Sequence, residues 1–349
     1  MLQKEELKRY NRQMILPELG LQGQEKLKSA KVLMIGAGGL GCPVLQYLVA
    51  AGVGEIGVID DDVVDETNLH RQVLFYHEDI GLKKAEVISQ KLRKLNPFIT
   101  IKSFVERLNI ENAPSIFMNF DLIIDGSDNF ATRYLVNDTC IDLNKTLVFG
   151  SIFKFEGQVS VFNYQNGAQY RDIFPEAPPK DQVPNCAEIG VIGVLPGIIG
   201  TLMANEAIKV ITGIGEVLSG KLLTFNALDA SFGIFDFEVP APQAPKVDPA
   251  ISSFDHRFIT MADLNHRLEK EAENICLIDV REEYEFEDFN IGGLNIPLYE
   301  LIDRLSEIPK ETTLVFCCTS SQRSKLAIEF IKPYNFADVF YLKDGVFSN

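Results

Sequence analysis

The segment Val32–Gln72 constrains the fold of this chain more than any other. It opens on an apolar run, Val32-Leu33-Met34-Ile35, and turns through Gly36-Ala37-Gly38-Gly39-Leu40-Gly41. An apolar helical stretch follows over 44–51, then a second apolar run that ends in acid, Ile59-Asp60-Asp61-Asp62. Strand, glycine turn and helix make a phosphate cradle. Gly36, Gly38, Gly39 and Gly41 let the backbone approach the phosphates, and the helix N-terminus offers N–H groups at the positive end of a dipole. Asp60, at the end of the next strand, suits a ribose hydroxyl. Such a turn most often carries NAD or FAD, but a dehydrogenase has no chemical need for a second carboxylate at Asp62. Nor does it need Asn68, Arg71 and Gln72 soon after. ATP chemistry does: a carboxylate can hold Mg²⁺ at substrate phosphates, and an arginine can clamp a terminal phosphate with paired hydrogen bonds.

The 349 residues suffice for two cores, and 46% of them are hydrophobic, so the chain reads as globular. The start is charged and lacks the apolar segment of a signal peptide. The longest membrane candidate, 189–203, is broken by glycines and Pro196. A formal charge of −16 disfavours nucleic-acid or anionic-membrane partners, which need clustered Lys and Arg. A bound nucleotide therefore requires local cations, and Arg12, Arg71 and Lys84 are candidates. Six scattered cysteines without a secretory signal read as reduced thiols in a cytoplasmic protein.

Alternation of strands (31–35, 55–59, 99–104, 121–124, 146–149) with helices (40–51, 82–95, 129–143) predicts a mostly parallel α/β sheet. The stretch 165–188, rich in proline, reads as a long loop, followed by a helix over 196–212 and a strand near 221–226. Residues 239–257 form a Pro-rich linker between a domain over 1–238 and a smaller α/β domain over 258–349.

Arg9-Tyr10-Asn11-Arg12-Gln13, the glycine turn, Asp60–Asp62, Asn68–Gln72, Gly81–Lys84, Asp125–Asn129 and Glu156-Gly157-Gln158 together resemble the MoeB/ThiF family, relatives of the ubiquitin-activating enzymes. The resemblance covers the first two-thirds of the chain in the family's order. It implies a Rossmann-like adenylation domain that uses ATP and Mg²⁺ to adenylate the C-terminal glycine of a ubiquitin-like sulfur carrier ending in Gly-Gly. It further implies that Asp60 and Asp62 bind ribose and lie near the metal and phosphates, and that Arg71 and Lys84 serve the phosphates. Asp128 positions Mg²⁺, or caps the following helix, or does both. Arg12 reaches into the partner's site, making a homodimer the working unit.

Two departures stand out. Most relatives hold a structural zinc with two Cys-x-x-Cys pairs, whereas the first pair's position here reads Gln169-Tyr170-Arg171-Asp172, so no structural zinc is expected. That leaves the anchoring of 165–188 without a metal. Cys186 matches a crossover-loop cysteine that in some relatives bonds covalently to the carrier and in others is dispensable; a small buried thiol is the bland alternative.

In the last ninety or so residues, Asp279-Val280-Arg281-Glu282, Asn295-Ile296-Pro297-Leu298 and Cys317-Cys318 followed by Arg323-Ser324 resemble a rhodanese-like sulfurtransferase domain. A cysteine between a strand and a helix N-terminus has its thiolate stabilised by backbone N–H groups. Position makes Cys318 the persulfide carrier, with Arg323 to hold an anionic donor, and places Cys317 on the strand, pointing the other way. The loop lacks the family's usual basic residue and glycine, and the usual final tryptophan is missing, so a non-catalytic docking domain is the alternative. The leading reading is a carrier-activating enzyme fed by an upstream sulfur donor, of the molybdopterin or thiamine type. The competing readings are an NAD-dependent dehydrogenase with an appended sulfur domain and a non-catalytic binder of a ubiquitin-like protein.

Overall fold

The computed structural model describes residues 2–176, 190–237, 257–271, 274–336 and 338–347. Two helices, α1 (Lys4–Met14) and α2 (Gly20–Ser29), precede an alternation of β1 (Lys31–Ile35), α3 (Gly41–Ala51), β2 (Glu55–Ile59), α4 (Lys84–Leu95) and β3 (Thr100–Phe104). It continues through α5 (Ala113–Phe117), β4 (Leu122–Asp125), α6 (Phe130–Asp142) and the hairpin β5 (Thr146–Phe153) and β6 (Glu156–Phe162). A short α7 (Tyr170–Ile173) follows, then a long α8 (Val194–Thr212) and the hairpin β7 (Lys221–Asn226) and β8 (Ser231–Asp236).

These strands form one eight-stranded sheet in the order β3-β2-β1-β4-β5-β6-β7-β8, parallel from β3 to β5 and antiparallel beyond. Strand order reverses between β1 and β4, where ligands bind in open α/β sheets, outside the carboxyl ends of the strands. The central strands are near-continuous apolar runs because helices cover both faces. In β1 every residue after Lys31 is buried, and in β4 all four are. The helix α8 has the length and mean hydropathy, 1.4, of a membrane span. It is instead a core helix lying against α3, β5 and β6.

The C-terminal region carries β9 (Phe258–Ile259), α9 (Met261–Glu271), β10 (Ile275–Asp279), α10 (Glu283–Asp288), β11 (Leu294–Asn295), β12 (Thr313–Cys317), α11 (Gln322–Ile331) and β13 (Asp338–Leu342). Its five strands are all parallel, in the order β11-β10-β12-β13-β9.

By its contacts the chain divides into a unit of residues 26–246 and a unit of residues 1–25 with 247–349. Sequence reading places the first 25 residues with the large sheet; packing places them with the C-terminal strands. The physical cause is the apolar face of α1, whose Leu7, Tyr10 and Met14 join the core built on Ile278, Leu298, Leu301 and Phe316.

Candidate active sites

At the carboxyl end of β1 the chain must turn sharply into α3. Gly36 has φ +88°, in the left-handed region, and its N–H donates to the Ile59 carbonyl at 2.9 Å. Gly41 is fixed by proximity: a Cβ there would stand 2.1 Å from the Gly36 carbonyl oxygen. Asp60 then ties the turn to β2. One carboxylate oxygen accepts the Ala37 N–H at 2.7 Å and the other the Asp62 N–H at 2.8 Å. Burial pushes the Asp60 carboxyl up, against these hydrogen bonds and the nearby Lys84 charge. Asp60, Asp61 and Asp62 can bring one carboxylate oxygen each to within 4.8 Å of one another.

Lys84, at the start of α4, is 5% exposed and donates through Nζ to Asp62 at 2.9 Å, while its N–H donates to the Asp62 carbonyl at 3.0 Å. With one partner among the described residues, this buried ammonium keeps two donors for an anion. The segment 66–72 lies over the glycine turn. Gln72 Nε2 comes within 3.7 Å of where a Cβ at Gly38 would stand, and Arg71 Cγ within 3.7 Å of that at Gly39. Arg71 donates to the Thr67 carbonyl at 3.1 Å, and Asn68 holds the segment by accepting the Arg71 and Gln72 N–H groups at its carbonyl, both at 3.0 Å. Gln72 is 4% exposed, and its Oε1 has no hydrogen-bond partner among the described residues.

The loop after β4 closes the crevice from the other side, and Gly126 donates to the Ile35 carbonyl at 3.0 Å. Asp128 is exposed on this loop. It does not cap α6; Asn129 does, accepting the Thr132 N–H at 2.9 Å. The capping alternative for Asp128 is thereby corrected: the asparagine one residue later reaches the helix N–H. Asp125, the first residue of the Asp125–Asn129 motif, and Arg133, which sequence reading missed, build this loop. Asp125 is 1% exposed and accepts the Ser127 N–H at 2.8 Å; Arg133, from α6, donates to the Ser127 carbonyl at 3.3 Å.

In the C-terminal unit, β12 ends at Cys317 and the loop 318–321 leads into α11. Cys317 and Cys318 belong to separate apolar clusters, as opposite sides of a strand require. Burial, with Asp279 nearby, holds the Cys317 thiol well above its ordinary value, so it is inert. Cys318 is 1% exposed, and the groups displayed at the loop surface are Thr319 and Ser320. Ser321 takes φ +64°, in the left-handed region that favours glycine.

Arg323, expected to hold an anionic donor, is 9% exposed and engaged by a carboxylate. Both its terminal nitrogens donate to Glu285, at 2.5 and 2.7 Å, and one also reaches Thr319 Oγ1 at 3.1 Å. The Arg323 hydrogen bonds hold the Glu285 carboxyl down at about 2. One cation thus meets one anion in a bidentate pair, and the loop presents hydroxyls without net positive charge. Behind it, buried Arg281 pairs with buried Asp279 at 2.6 Å and donates to the Phe289 carbonyl at 2.7 Å, fixing the end of β10.

A model of the ThiF family matches residues 10–246, and a model of the rhodanese-like domain matches residues 260–348. The chain belongs to the ThiF family. It is 42% identical to a probable adenylyltransferase/sulfurtransferase MoeZ of Mycobacterium tuberculosis, over 99% of this chain and 93% of that protein. It is 56% identical to the sulfur carrier protein adenylyltransferase of Thermus thermophilus, over 66% of this chain and 86% of that one. A crystal structure of E. coli MccB shares the fold, with a TM-score of 0.60 at 23% identity over 68% of this chain and 74% of that one. This ThiF-family protein is accordingly an enzyme, an adenylyltransferase with a rhodanese-like domain attached.

Where this ThiF-family chain lacks the first cysteine pair, the expected loop contains the α7 turn. Tyr170, 1% exposed, donates its N–H to Asn137 Oδ1 at 3.0 Å and sets its ring against Tyr134, Phe149, Phe162 and Phe174, with centroids 4.9–5.8 Å apart. The Tyr134 hydroxyl donates to the Phe174 carbonyl at 2.9 Å, and Arg171 forms a bidentate pair with Asp138 at 2.8 and 2.7 Å. Aromatic burial anchors this stretch. Cys186 and the rest of 177–189 lie outside the described residues. Arg12 is exposed on α1, in the unit that carries the rhodanese-like strands.

Proposed function

We propose that the crevice between β1 and β4 adenylates the C-terminal glycine of a ubiquitin-like sulfur carrier ending in Gly-Gly, and that Cys318 then supplies sulfur. The observation that carries the first half is buried Lys84, tied to Asp62 beside the glycine turn. A nicotinamide cofactor leaves that pair without a role, whereas a triphosphate uses its spare donors. Gln72 Oε1, buried without a partner among the described residues, marks where a ligand would supply a hydrogen bond.

In this reading Asp60 faces the ribose, and Gly36–Gly41 and the N-terminus of α3 receive phosphate oxygens. Arg71, Asn68, Gln72 and Lys84 hold the triphosphate. Mg²⁺ would be held by Asp128, with the phosphates as its other ligands, and supplies charge neutralisation when bound. A carrier carboxylate oxygen attacks the α-phosphorus as the bond to pyrophosphate breaks. No proton moves, because the carboxylate is already ionised, so positioning and charge neutralisation do the catalysis. The terminal sulfur of a Cys318 persulfide, charged by an upstream donor, then attacks the acyl carbon and AMP departs. A thiol reductant cleaves the resulting S–S bond to release the thiocarboxylate. Cys186 is a second candidate for a covalent bond to the carrier. Fusion of the two units raises the local concentration of persulfide at the adenylate.

The enzyme acts as a cytoplasmic homodimer in which Arg12 serves the partner's nucleotide, and its carriers are of the molybdopterin or thiamine type. Carrier-dependent ATP–pyrophosphate exchange, run with both carrier types, tests the reading. Exchange with neither, alongside a nicotinamide absorbance change on substrate addition, would reverse it.

A further inference from the structure

We propose that α1 is a docking element of the C-terminal unit, and that the closed geometry around Cys318 depends on a helix about three hundred residues away in sequence. This inference does not rest on the adenylation reading. An eleven-residue helix is marginal by itself and needs tertiary packing of its apolar face. In α1 that face is Leu7, Tyr10 and Met14, at 8%, 2% and 2% exposure, spaced to fall on one side. They belong to one continuous apolar cluster with Leu298, Leu301, Phe330 and Cys318.

Polar contacts set the register. Lys4 pairs with Asp303 at 3.1 Å, and the Lys8 ammonium stands 4.9 Å above the Tyr299 ring. All these contacts fall on the segment 298–303, which lies against α1. The opposite side of α1 displays Glu5 and Arg12. The ion pair and the cation–π contact thus converge on one segment of the C-terminal unit, beside the apolar cluster that receives Leu7, Tyr10 and Met14. Without α1, the wall of the core holding Cys318 would face water at Leu298 and Leu301. The rhodanese-like domain is therefore incomplete when its limits are drawn at residue 258.

The test uses the full-length chain. Leu7→Ala and Tyr10→Ala are compared with wild type and with Glu5→Ala, by hydrogen–deuterium exchange and by the labelling rate of Cys318 with a thiol reagent, mapped by mass spectrometry. We expect exchange over 298–302 and 326–331, and labelling of Cys318, to rise several-fold in both variants. Glu5→Ala should match wild type, and exchange over 31–35 and 122–125 should not change. Wild-type exchange and labelling in the C-terminal unit, with α1 itself opened, would overturn the proposal. So would a rise spread equally over 31–35. Leu301→Ala gives an independent arm: it should raise exchange over residues 4–14, and unchanged protection there would also refute the docking role.

Discussion

The two sites of this chain are built to opposite electrostatic plans. The nucleotide crevice keeps unsatisfied capacity on display. Among the described residues Lys84 has spare donors, Arg71 lies beside the turn, Asp128 is exposed, and Gln72 Oε1 has no partner. The sulfur loop is internally satisfied. Its arginine is neutralised by Glu285, its cysteine is 1% exposed, and only hydroxyls face out. A site that must gather a polyanion holds charge ready. A site that passes a sulfur atom needs a stabilised thiolate and access, and charge on its rim chooses the donor. The same strand-loop-helix device makes both sites; the side chains around it decide what each can bind.

The sharpest way to break this contrast is at Asp128. Asp128→Ala should lower carrier-dependent ATP–pyrophosphate exchange by about 10²-fold or more while leaving the thermal midpoint near wild type, because the side chain is exposed. Full exchange activity in that variant ends its assigned role. Next in size is the anchor at α7. Tyr170→Ala removes a buried ring surrounded by four others and should cost about 3–5 kcal/mol in denaturant unfolding. Arg171→Ala, which breaks a half-exposed pair, should cost no more than about 1 kcal/mol. If the arginine mattered more than the ring, the anchor would be electrostatic and our account of it wrong.

The pairing of Arg323 with Glu285 sharpens the contrast from the other side. Glu285→Gln leaves the arginine uncompensated, and the KM for thiosulfate should fall several-fold; an unchanged KM would show that the pair does not govern donor charge. The pair also carries a pH signature. Glu285 is held at about 2 against an ordinary 4.5, so its contribution to stability is complete above pH 4.5 and drains away as pH falls from there toward about 2. Glu285→Gln should flatten that part of the acid-unfolding profile. The smallest effect is expected at Ser321. Glycine there relieves a left-handed serine, worth about 1–2 kcal/mol, against roughly 0.4–1 kcal/mol of added unfolded-chain entropy. Ser321→Gly should therefore stabilise the C-terminal unit slightly, by about 1 kcal/mol, in a thermal unfolding measurement.

The nucleotide site was legible in sequence because short-range rules govern it. A glycine turn needs its glycines, an acid ends a strand, and both are read from neighbours in the chain. The eight-stranded sheet followed from the same alternation up to β5. What escaped was set at long range. The helix α1 declares an apolar face but not its partner, and Tyr170 looks like any loop tyrosine until four rings from other elements surround it. The neutralisation of Arg323 depended on Glu285, thirty-eight residues earlier. The strand β8 was missed because its exposed Phe232, Ile234 and Phe235 do not alternate cleanly with polar residues. The cap of α6 went to Asn129 and not Asp128 because reach, not residue type, decides between adjacent capping candidates.

The division of labour between the sites is tested most directly by intact-mass measurement of a Gly-Gly carrier incubated with ATP, a persulfide donor, a thiol reductant, and either wild type or Cys318→Ala. Wild type should convert the carrier to its thiocarboxylate. Cys318→Ala should stop at the acyl-adenylate, while Cys317→Ala, which changes an inert buried thiol, should proceed as wild type. Thiocarboxylate formed by Cys318→Ala at the wild-type rate, or no adenylate formed by wild type, would contradict the account.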